Sequence, residues 1–387
     1  MEVGYFFRIN ISMLILKNKK LFLLLVVIAI VISIFISAMK INGDSEETLS
    51  SSGINEQYSD GPYVISEQQE LTAYWLCNGK VEKEILDKRH IPLSLNYCDL
   101  TANVYSETAP EDTVLEYSGD YRVAAMSDFH GQYDLMKTLL VNNRVIDKDG
   151  NWNFDNGHFV ITGDVFDRGD KVTEILWFLY KLERQAKLAC GQVHLLLGNH
   201  EVMVLNGDLR YLHEKYEQTA LLLEKPFEEL YSKDTTLGDW LRAKPVLVKV
   251  NNMLFAHGGF HPSLASEKRT LESINTVFKK SLVKAELETE RGEWANYLHK
   301  KNGPIWYRGY FKDDGATPEE IEMLLNHFDV ENIVVGHTSQ PQIETRYQGK
   351  VIAIDSSIKK GEYGEILFVE GDKKWRGSLS GEILPLH

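Results

Sequence analysis

Cysteine is scarce. The chain has 387 residues and three cysteines, Cys77, Cys98 and Cys190. Three thiols build neither a disulfide scaffold nor a four-cysteine zinc site. Proline numbers 10 and glycine 28, which excludes collagen-like and low-complexity classes. Basic charge is also short: 42 Lys and Arg stand against 56 Asp and Glu, a formal charge of −14. A broad cationic surface for a nucleic-acid backbone is therefore absent, and no nucleic-acid partner is expected. No repeat recurs at a fixed period, and nothing in the sequence specifies an oligomer. What remains is an ordinary globular composition, 43% hydrophobic, long enough for one large domain or two smaller ones.

One uncharged run stands out. Residues 21–39 (LFLLLVVIAIVISIFISAM) lie between Lys20 and Lys40. At 1.5 Å per residue this run would form a helix of about 28 Å, close to the ~30 Å hydrocarbon core of a bilayer. It is longer than a secretory h-region of ~7–15 residues, and Ile36 and Ala38 occupy the positions where cleavage wants small residues. A single-pass signal anchor is expected, with a cleaved signal as the alternative. Arg8, Lys17, Lys19 and Lys20 precede the run, and Asp44, Glu46 and Glu47 follow it. That asymmetry puts residues 1–20 in the cytoplasm and the rest outside it, in the periplasm. Beyond residue 40 the chain carries 37 basic against 55 acidic residues, which disfavours lying flat on anionic lipid. Outside the cytoplasm Cys77 and Cys98 can pair. Cys190, at the end of an apolar helical stretch, is expected to be a buried thiol.

Residues 40–61 are polar and read as a linker. Residues 62–118 suggest lead-in strands with a turn at Asn78-Gly79. The remaining residues, 119–387, carry the clearest pattern. YRVAAM, HFVITG (158–163) and QVHLLLG (192–198) are strands, and helical stretches at 132–142, 172–189 and from 201 alternate with them. This is a βαβαβ unit with a mostly parallel sheet. Residues 202–244 are expected to form a helical cap over the site. A hairpin is expected at Asn251-Asn252. The strands at 332–336, 350–355 and 364–371 are expected to form a second, mixed sheet. The helix 317–328 opens with a Thr cap, a Pro and acids.

Five clusters follow predicted strands: SDFHG (127–131), GDVFDRG (163–169), GNHE (198–201), HGG (257–259) and GHTS (336–339). Glycine lets the backbone turn sharply, so side chains at strand ends converge, and strand ends are where ligands bind in open α/β sheets. Asp128, His130, Asp164, Asn199, His257 and His337 offer nitrogen and oxygen donors suited to Mn, Fe or Zn. Asp128 and His130, two apart on an extended segment, would point to the same side and pair on one ion. Asp164 is the bridging candidate, and Asn199, His257 and His337 complete a second ion. Two such ions polarise a phosphoryl group and lower the pKa of water. Arg168 and Arg308 (in WYRG, 306–309) offer donors matched to phosphate oxygens. His200 is placed to give a proton to a leaving alkoxide, and Asp167 to orient it. Singly, each cluster reads as a capped turn; together and in this order they have no comparable structural explanation.

These clusters resemble the phosphoprotein phosphatase family of the calcineurin-like metallophosphoesterases over roughly residues 120–360, and within it most closely the bacterial Shewanella-like protein phosphatases. The resemblance implies an α/β fold of two packed mixed β-sheets flanked by helices. It implies that Asp128, His130 and Asp164 hold one metal, Mn being the first choice, and that Asp164, Asn199, His257 and His337 hold the other. It implies His200 as proton donor with Asp167, and a phosphate grip by Arg168, Arg308 and Asn199. The activity implied is a phosphomonoesterase, a protein phosphatase acting on phosphoserine, phosphothreonine or phosphotyrosine by direct attack of metal-bound hydroxide. Two positions depart from the family pattern: Ser127 replaces a glycine, which is expected to cost only some turn freedom, and Ser339 stands where related phosphoesterases carry a second His. Competing readings are hydrolysis of a nucleotide such as a diadenosine polyphosphate, which Asp167 disfavours, and a catalytically dead anchored binding protein, which would have lost a ligand.

Overall fold

The structure is a computed structural model describing residues 58–67, 70–105 and 114–386. The apolar run 21–39 lies outside these residues. Among the described residues no helix is long and apolar enough to cross a membrane.

A small antiparallel sheet comes first: β1 (Asp60–Glu67), β2 (Glu70–Cys77) and β3 (Lys80–Leu86). Asn78 and Gly79 join β2 to β3 with φ of 48° and 76°, the left-handed pair that a tight hairpin requires. A second hairpin, β4 (Leu93–Tyr97) and β5 (Leu100–Val104), follows. The Cys77–Cys98 disulfide, with Cα atoms 5.8 Å apart, ties it to the first sheet.

Two six-stranded sheets form the body. One carries β7 (Val123–Met126), β8 (His158–Ile161) and β9 (Gln192–Leu195), all parallel. The other begins with β6 (Glu116–Tyr117), which pairs with β10 (Leu247–Val250). It continues through β11 (Met253–Ala256), β12 (Asn332–Val335), β14 (Val351–Ala353) and the edge strand β13 (Glu344–Arg346). The Asn251-Asn252 hairpin joins β10 to β11 as expected. The segment 364–371 departs from expectation. Its strand β15 (Ile366–Glu370) joins the first sheet, antiparallel to β7, and brings β16 (Lys373–Gly377) and β17 (Ile383–Pro385) with it. The other edge of β7 belongs to β8, so β15 covers an edge that would otherwise stand unpaired.

Strand alternation builds the layers. Val123, Ala125, Val160, Val248, Phe255, Val334, Ile352 and Leu367 fill the space between the sheets. Ala124, Met126, Phe159 and Ile161, one residue out of phase, belong to the larger apolar cluster that takes in the helices. Strands buried on both faces read as continuous apolar runs, as these do.

The helices are α1 (Tyr133–Asn142), α2 (Val172–Leu188), α3 (Asn199–Leu205), α4 (Glu214–Leu222), α5 (Thr236–Arg242), α6 (Ser263–Ser266), α7 (Leu271–Lys280), α8 (Glu293–Leu298) and α9 (Pro318–Phe328). In α2 the buried Ile175, Leu179, Leu182 and Ala186 follow helical spacing. In α9 Thr317 Oγ1 accepts the Glu320 N–H at 3.2 Å while the Glu320 carboxylate accepts the Thr317 N–H at 2.8 Å, a reciprocal cap. Cys190 is exposed, not buried. It follows the end of α2 in a left-handed turn, φ 60°, where the chain reverses toward β9 and leaves the apolar face of the helix.

The expected cap over the site is a correction as well. α4 and α5 dock on the N-terminal sheet. Buried Asp60 of β1 accepts from Tyr63 Oη (2.6 Å) and Thr219 Oγ1 (2.9 Å) and faces Lys215 Nζ at 3.4 Å. Lys215 also reaches Glu174 (3.1 Å) and the Asp170 carbonyl (2.6 Å). Polar groups pulled out of water need such partners, and the partners for α4 lie on β1 and α2. From 202–244, Met203 Sδ accepts from the Asn199 amide at 3.7 Å, and Tyr211, in the turn after α3, packs against His200.

A second buried ion pair lies beside β15 and β16, within one sheet, and its carboxylate also reaches the residue before β13, the edge strand of the other sheet. Arg376 Nη1 of β16 donates to both carboxylate oxygens of Glu365, at 2.8 and 2.9 Å, and Glu365 Oε2 accepts the Ile343 N–H at 2.8 Å. Replacing Arg376 by Met leaves that carboxylate buried and unpaired. The expected loss is about 3–5 kcal/mol of unfolding free energy, read by denaturant titration, with part of it recovered in Arg376→Met/Glu365→Gln. A loss below about 1 kcal/mol would show that the pair carries no weight.

Candidate active site

All ten candidate residues lie just beyond strand ends or in loops facing them. Asp128 and His130 follow β7, Asp164, Asp167 and Arg168 follow β8, Asn199 and His200 open α3 after β9, His257 follows β11, and His337 follows β12. Arg308 reaches in from the segment before α9. Six of them, Asp128, His130, Asp164, Asp167, Arg168 and His337, have φ between 45° and 71°. That region is rare for residues other than glycine and costs of order 1–3 kcal/mol each. Asp128 and His130 therefore converge by a turned backbone, not by the strand alternation expected of them. Glycine is needed where two loops meet: a Cβ on Gly163 would stand 2.3 Å from the Gly198 nitrogen, and one on Gly198 2.3 Å from Asp164 Oδ1.

Asp164 is the hub. Its Oδ2 lies 3.1 Å from His257 Nε2, 3.6 Å from His130 Nε2 and 3.8 Å from His200 Nε2. His257 Nε2 is also 2.9 Å from Asn199 Oδ1 and 3.1 Å from His337 Nδ1. Asp128 Oδ1 is 3.8 Å from His130 Nε2. Two groups with metal-ligating spacing result, His130–Asp164–His200 and Asp164–His257–His337, sharing Asp164. The first contains His200 where Asp128 was expected, and Asp128 stands beside it.

The donor chemistry fits cations. His130 Nδ1 donates to the Phe166 carbonyl at 2.7 Å and His257 Nδ1 to the Thr162 carbonyl at 2.9 Å. In the neutral imidazole this leaves Nε2 as a lone pair, aimed at the lone pairs of Asp164 and Asn199. His337 Nε2 is buried with no hydrogen-bond partner among the described residues. Lone pairs facing one another away from water need a positive charge between them.

Burial and neighbours pull the ionisations apart. Burial pushes His130 down to about 3 and His337 well below its ordinary value. His257 shares that burial, but Asp164, Asp128 and Glu201 outweigh it and raise its pKa to about 9. Burial and then Asp355 hold the Asp128 carboxyl well above its usual range. Burial works the same way on Asp164, yet His257 and His200 hold it well below. For His200 burial is outweighed by Asp164 and Asp167, and the pKa rises.

Two supports had no role in the sequence reading. Buried Glu201, the last letter of GNHE, accepts the backbone N–H groups of Asp164 (2.9 Å), Val165 (2.7 Å) and Gly198 (2.7 Å). Ser127 does more than tolerate the turn. Its hydroxyl donates to Asp128 Oδ2 at 2.5 Å and accepts from Thr162 Oγ1 at 2.6 Å. Glu201 was visible as the acid of a recognised motif. Ser127 was visible as the departure from glycine.

His200 Nδ1 meets Asp167 Oδ2 at 2.5 Å. Arg308 Nη1 donates to the His337 carbonyl (3.0 Å) and Thr338 Oγ1 (3.2 Å). Arg168 is exposed, its guanidinium 5.0 Å from the Tyr211 ring centroid.

A buried, two-part donor set built at the carboxyl ends of strands in a sandwich of mixed sheets defines a metallophosphoesterase. Residues 121–341 match the calcineurin-like phosphoesterase family, and the chain belongs to it: it is a metal-dependent phosphoric monoester hydrolase. The chain is similar to Shewanella-like protein phosphatase 1 of Plasmodium berghei, 30% identical over 248 residues that span 61% of this chain and 67% of that one. It is also similar to the crystal structure of a cold-active protein-tyrosine phosphatase of a psychrophilic Shewanella species. There the identity is 42% and the TM-score 0.80, over 85% of this chain and 100% of that one. A symmetrical bis(5'-nucleosyl)-tetraphosphatase of Vibrio cholerae is 26% identical over 157 residues, 40% of this chain and 51% of that one.

The pKa of His257 generates a test. A ligating imidazole must be neutral, so below about pH 9 a cation has to displace the His257 proton. Metal loading at pH 7 is expected to release protons, and affinity to weaken as pH falls. Calorimetric titration with Mn²⁺ or Zn²⁺ in buffers of different ionisation enthalpy measures this. No net release would contradict it.

Proposed function

We propose that this enzyme is a protein phosphatase that hydrolyses phosphorylated side chains. The observation that carries the proposal is the His200–Asp167 pair, 2.5 Å apart, with His200 Nε2 turned toward Asp164. Both the Plasmodium and the Shewanella relatives are named protein phosphatases.

In this reading Asp128, His130 and Asp164 would hold one divalent cation, and Asp164, Asn199, His257 and His337 would hold another. When bound they supply Lewis-acid polarisation of the phosphoryl group and activation of water. The nitrogen and oxygen donor set suits Mn, with Fe or Zn as alternatives. Arg168, Arg308 and the Asn199 amide take the phosphoryl oxygens, the guanidinium fork matching them in pairs. Arg308 uses one arm on the 337–338 backbone and side chain, which leaves its remaining N–H groups for the substrate. His200 holds its transferable proton at Nε2 and delivers it to the leaving oxygen. Asp167 accepts from Nδ1–H, fixing ring and tautomer.

Mn²⁺-dependent release of phosphate from phosphoserine and phosphotyrosine peptides is the expected activity, faster than hydrolysis of a diadenosine polyphosphate measured alongside. No hydrolysis of any phosphopeptide by metal-loaded protein would end the reading. His200→Ala is expected to retain bound metal while kcat falls by roughly 10²–10⁴. A smaller loss would remove His200 from the proton-donor role.

The location follows the same reading. The uncharged run 21–39 with basic residues before it supports a single-pass anchor with the catalytic part outside the cytoplasm. The Cys77–Cys98 bond is of the kind oxidising compartments retain. A C-terminal fusion reporter that is active only in the periplasm is expected to be active, and a cytoplasmic signal would overturn the assignment.

A further inference from the structure

Tyr211 lies in the turn after α3, outside the five motif clusters. Its ring centroid is 5.3 Å from that of His200, at an interplanar angle of 46°. Its carbonyl accepts the Arg168 N–H at 2.9 Å, and the Arg168 guanidinium carbon lies 5.0 Å from its ring centroid. On the same turn Arg210, tied to Asp208 at 2.8 Å, lies 5.7 Å from that centroid. The ring thus lies against His200 and beside two guanidinium groups, and it is 43% exposed. Among the large apolar side chains left exposed in the described residues, Tyr211 alone packs a ring against His200.

That position has a chemical meaning. A proton donor must stand beside the leaving oxygen. The group bonded to that oxygen approaches His200, against which Tyr211 packs at 5.3 Å, and aromatic rings attract at centroid separations of 4.5–7 Å. In phosphotyrosine this group is a phenyl ring; in phosphoserine it is a methylene with nothing to offer an aromatic wall. We propose that Tyr211 is a specificity-determining residue, the wall met by the leaving group, and that it favours aryl over alkyl phosphate esters. The inference rests on the proton-donor reading of His200.

The test compares full-length, Mn²⁺-loaded wild type with Tyr211→Leu and Tyr211→Phe on two peptides of one sequence, carrying phosphotyrosine or phosphoserine. The extra attraction of an aromatic pair corresponds to roughly a 2- to 12-fold ratio. Tyr211→Leu is expected to lower the phosphotyrosine-to-phosphoserine ratio of kcat/KM by about that factor, mainly through KM, and Tyr211→Phe to preserve it. An unchanged ratio in Tyr211→Leu overturns the inference and leaves the phosphatase reading standing. Wild type alone supplies a second measurement: phenylphosphonate is expected to compete with p-nitrophenyl phosphate several-fold better than propylphosphonate. Equal competition overturns the inference even if Tyr211→Leu fails to fold. Wild type inactive on both peptides is the failure of the phosphatase reading instead, and the phosphonate comparison still reports whether the site prefers an aryl group.

Discussion

One carboxylate organises the molecule. Asp164 Oδ2 stands within 4 Å of three imidazole nitrogens supplied by three separate segments. Two of those imidazoles have their other nitrogen committed to a backbone carbonyl. An arrangement of mutually facing lone pairs is unfavourable unless positive charge sits among them. Within this one constraint fall the shared use of Asp164 by both donor groups, the high pKa of His257, and the His337 Nε2 that finds no hydrogen-bond partner among the described residues.

Holding such a site together requires backbone conformations that polypeptides avoid. Six left-handed non-glycine residues in one site are tolerated because the surroundings over-determine them. Glu201 gathers N–H groups from the 163–169 and 198–201 loops onto one buried carboxylate, and the Gly163–Gly198 approach admits no side chain. Ser127 links Thr162 to Asp128, tying the ends of β7 and β8 together beside the donor set. The doubly buried sheets beneath supply the rigidity, and the Ile343 N–H, donating to Glu365, ties the edge of one sheet to the other.

Much of this was legible in the sequence, because strand-end motifs combine glycine for the turn with donors for the ligand and so leave a local trace. The βαβαβ unit, the cap on α9 and the Asn78-Gly79 and Asn251-Asn252 turns are equally local. What was not legible depended on distant partners. Whether β15 extends one sheet or the other is decided by which edge is free. Where α4 docks is decided by Asp60, more than 150 residues away. Cys190 follows an apolar helix but sits where the chain has already turned outward. Tyr211 carries no motif, and its importance comes entirely from lying against His200.

The order and composition of the five clusters, read alone, determine the class of chemistry, since only a small set of residue types can ligate hard or borderline cations, grip phosphate and deliver a proton. Tertiary structure decides which atoms face which: that Asp164 is shared, that His200 pairs with Asp167, and that an exposed tyrosine flanks His200. Residue identity sets what a side chain can do, and the distances that turn capacity into a site exist only once strands far apart in the chain lie side by side.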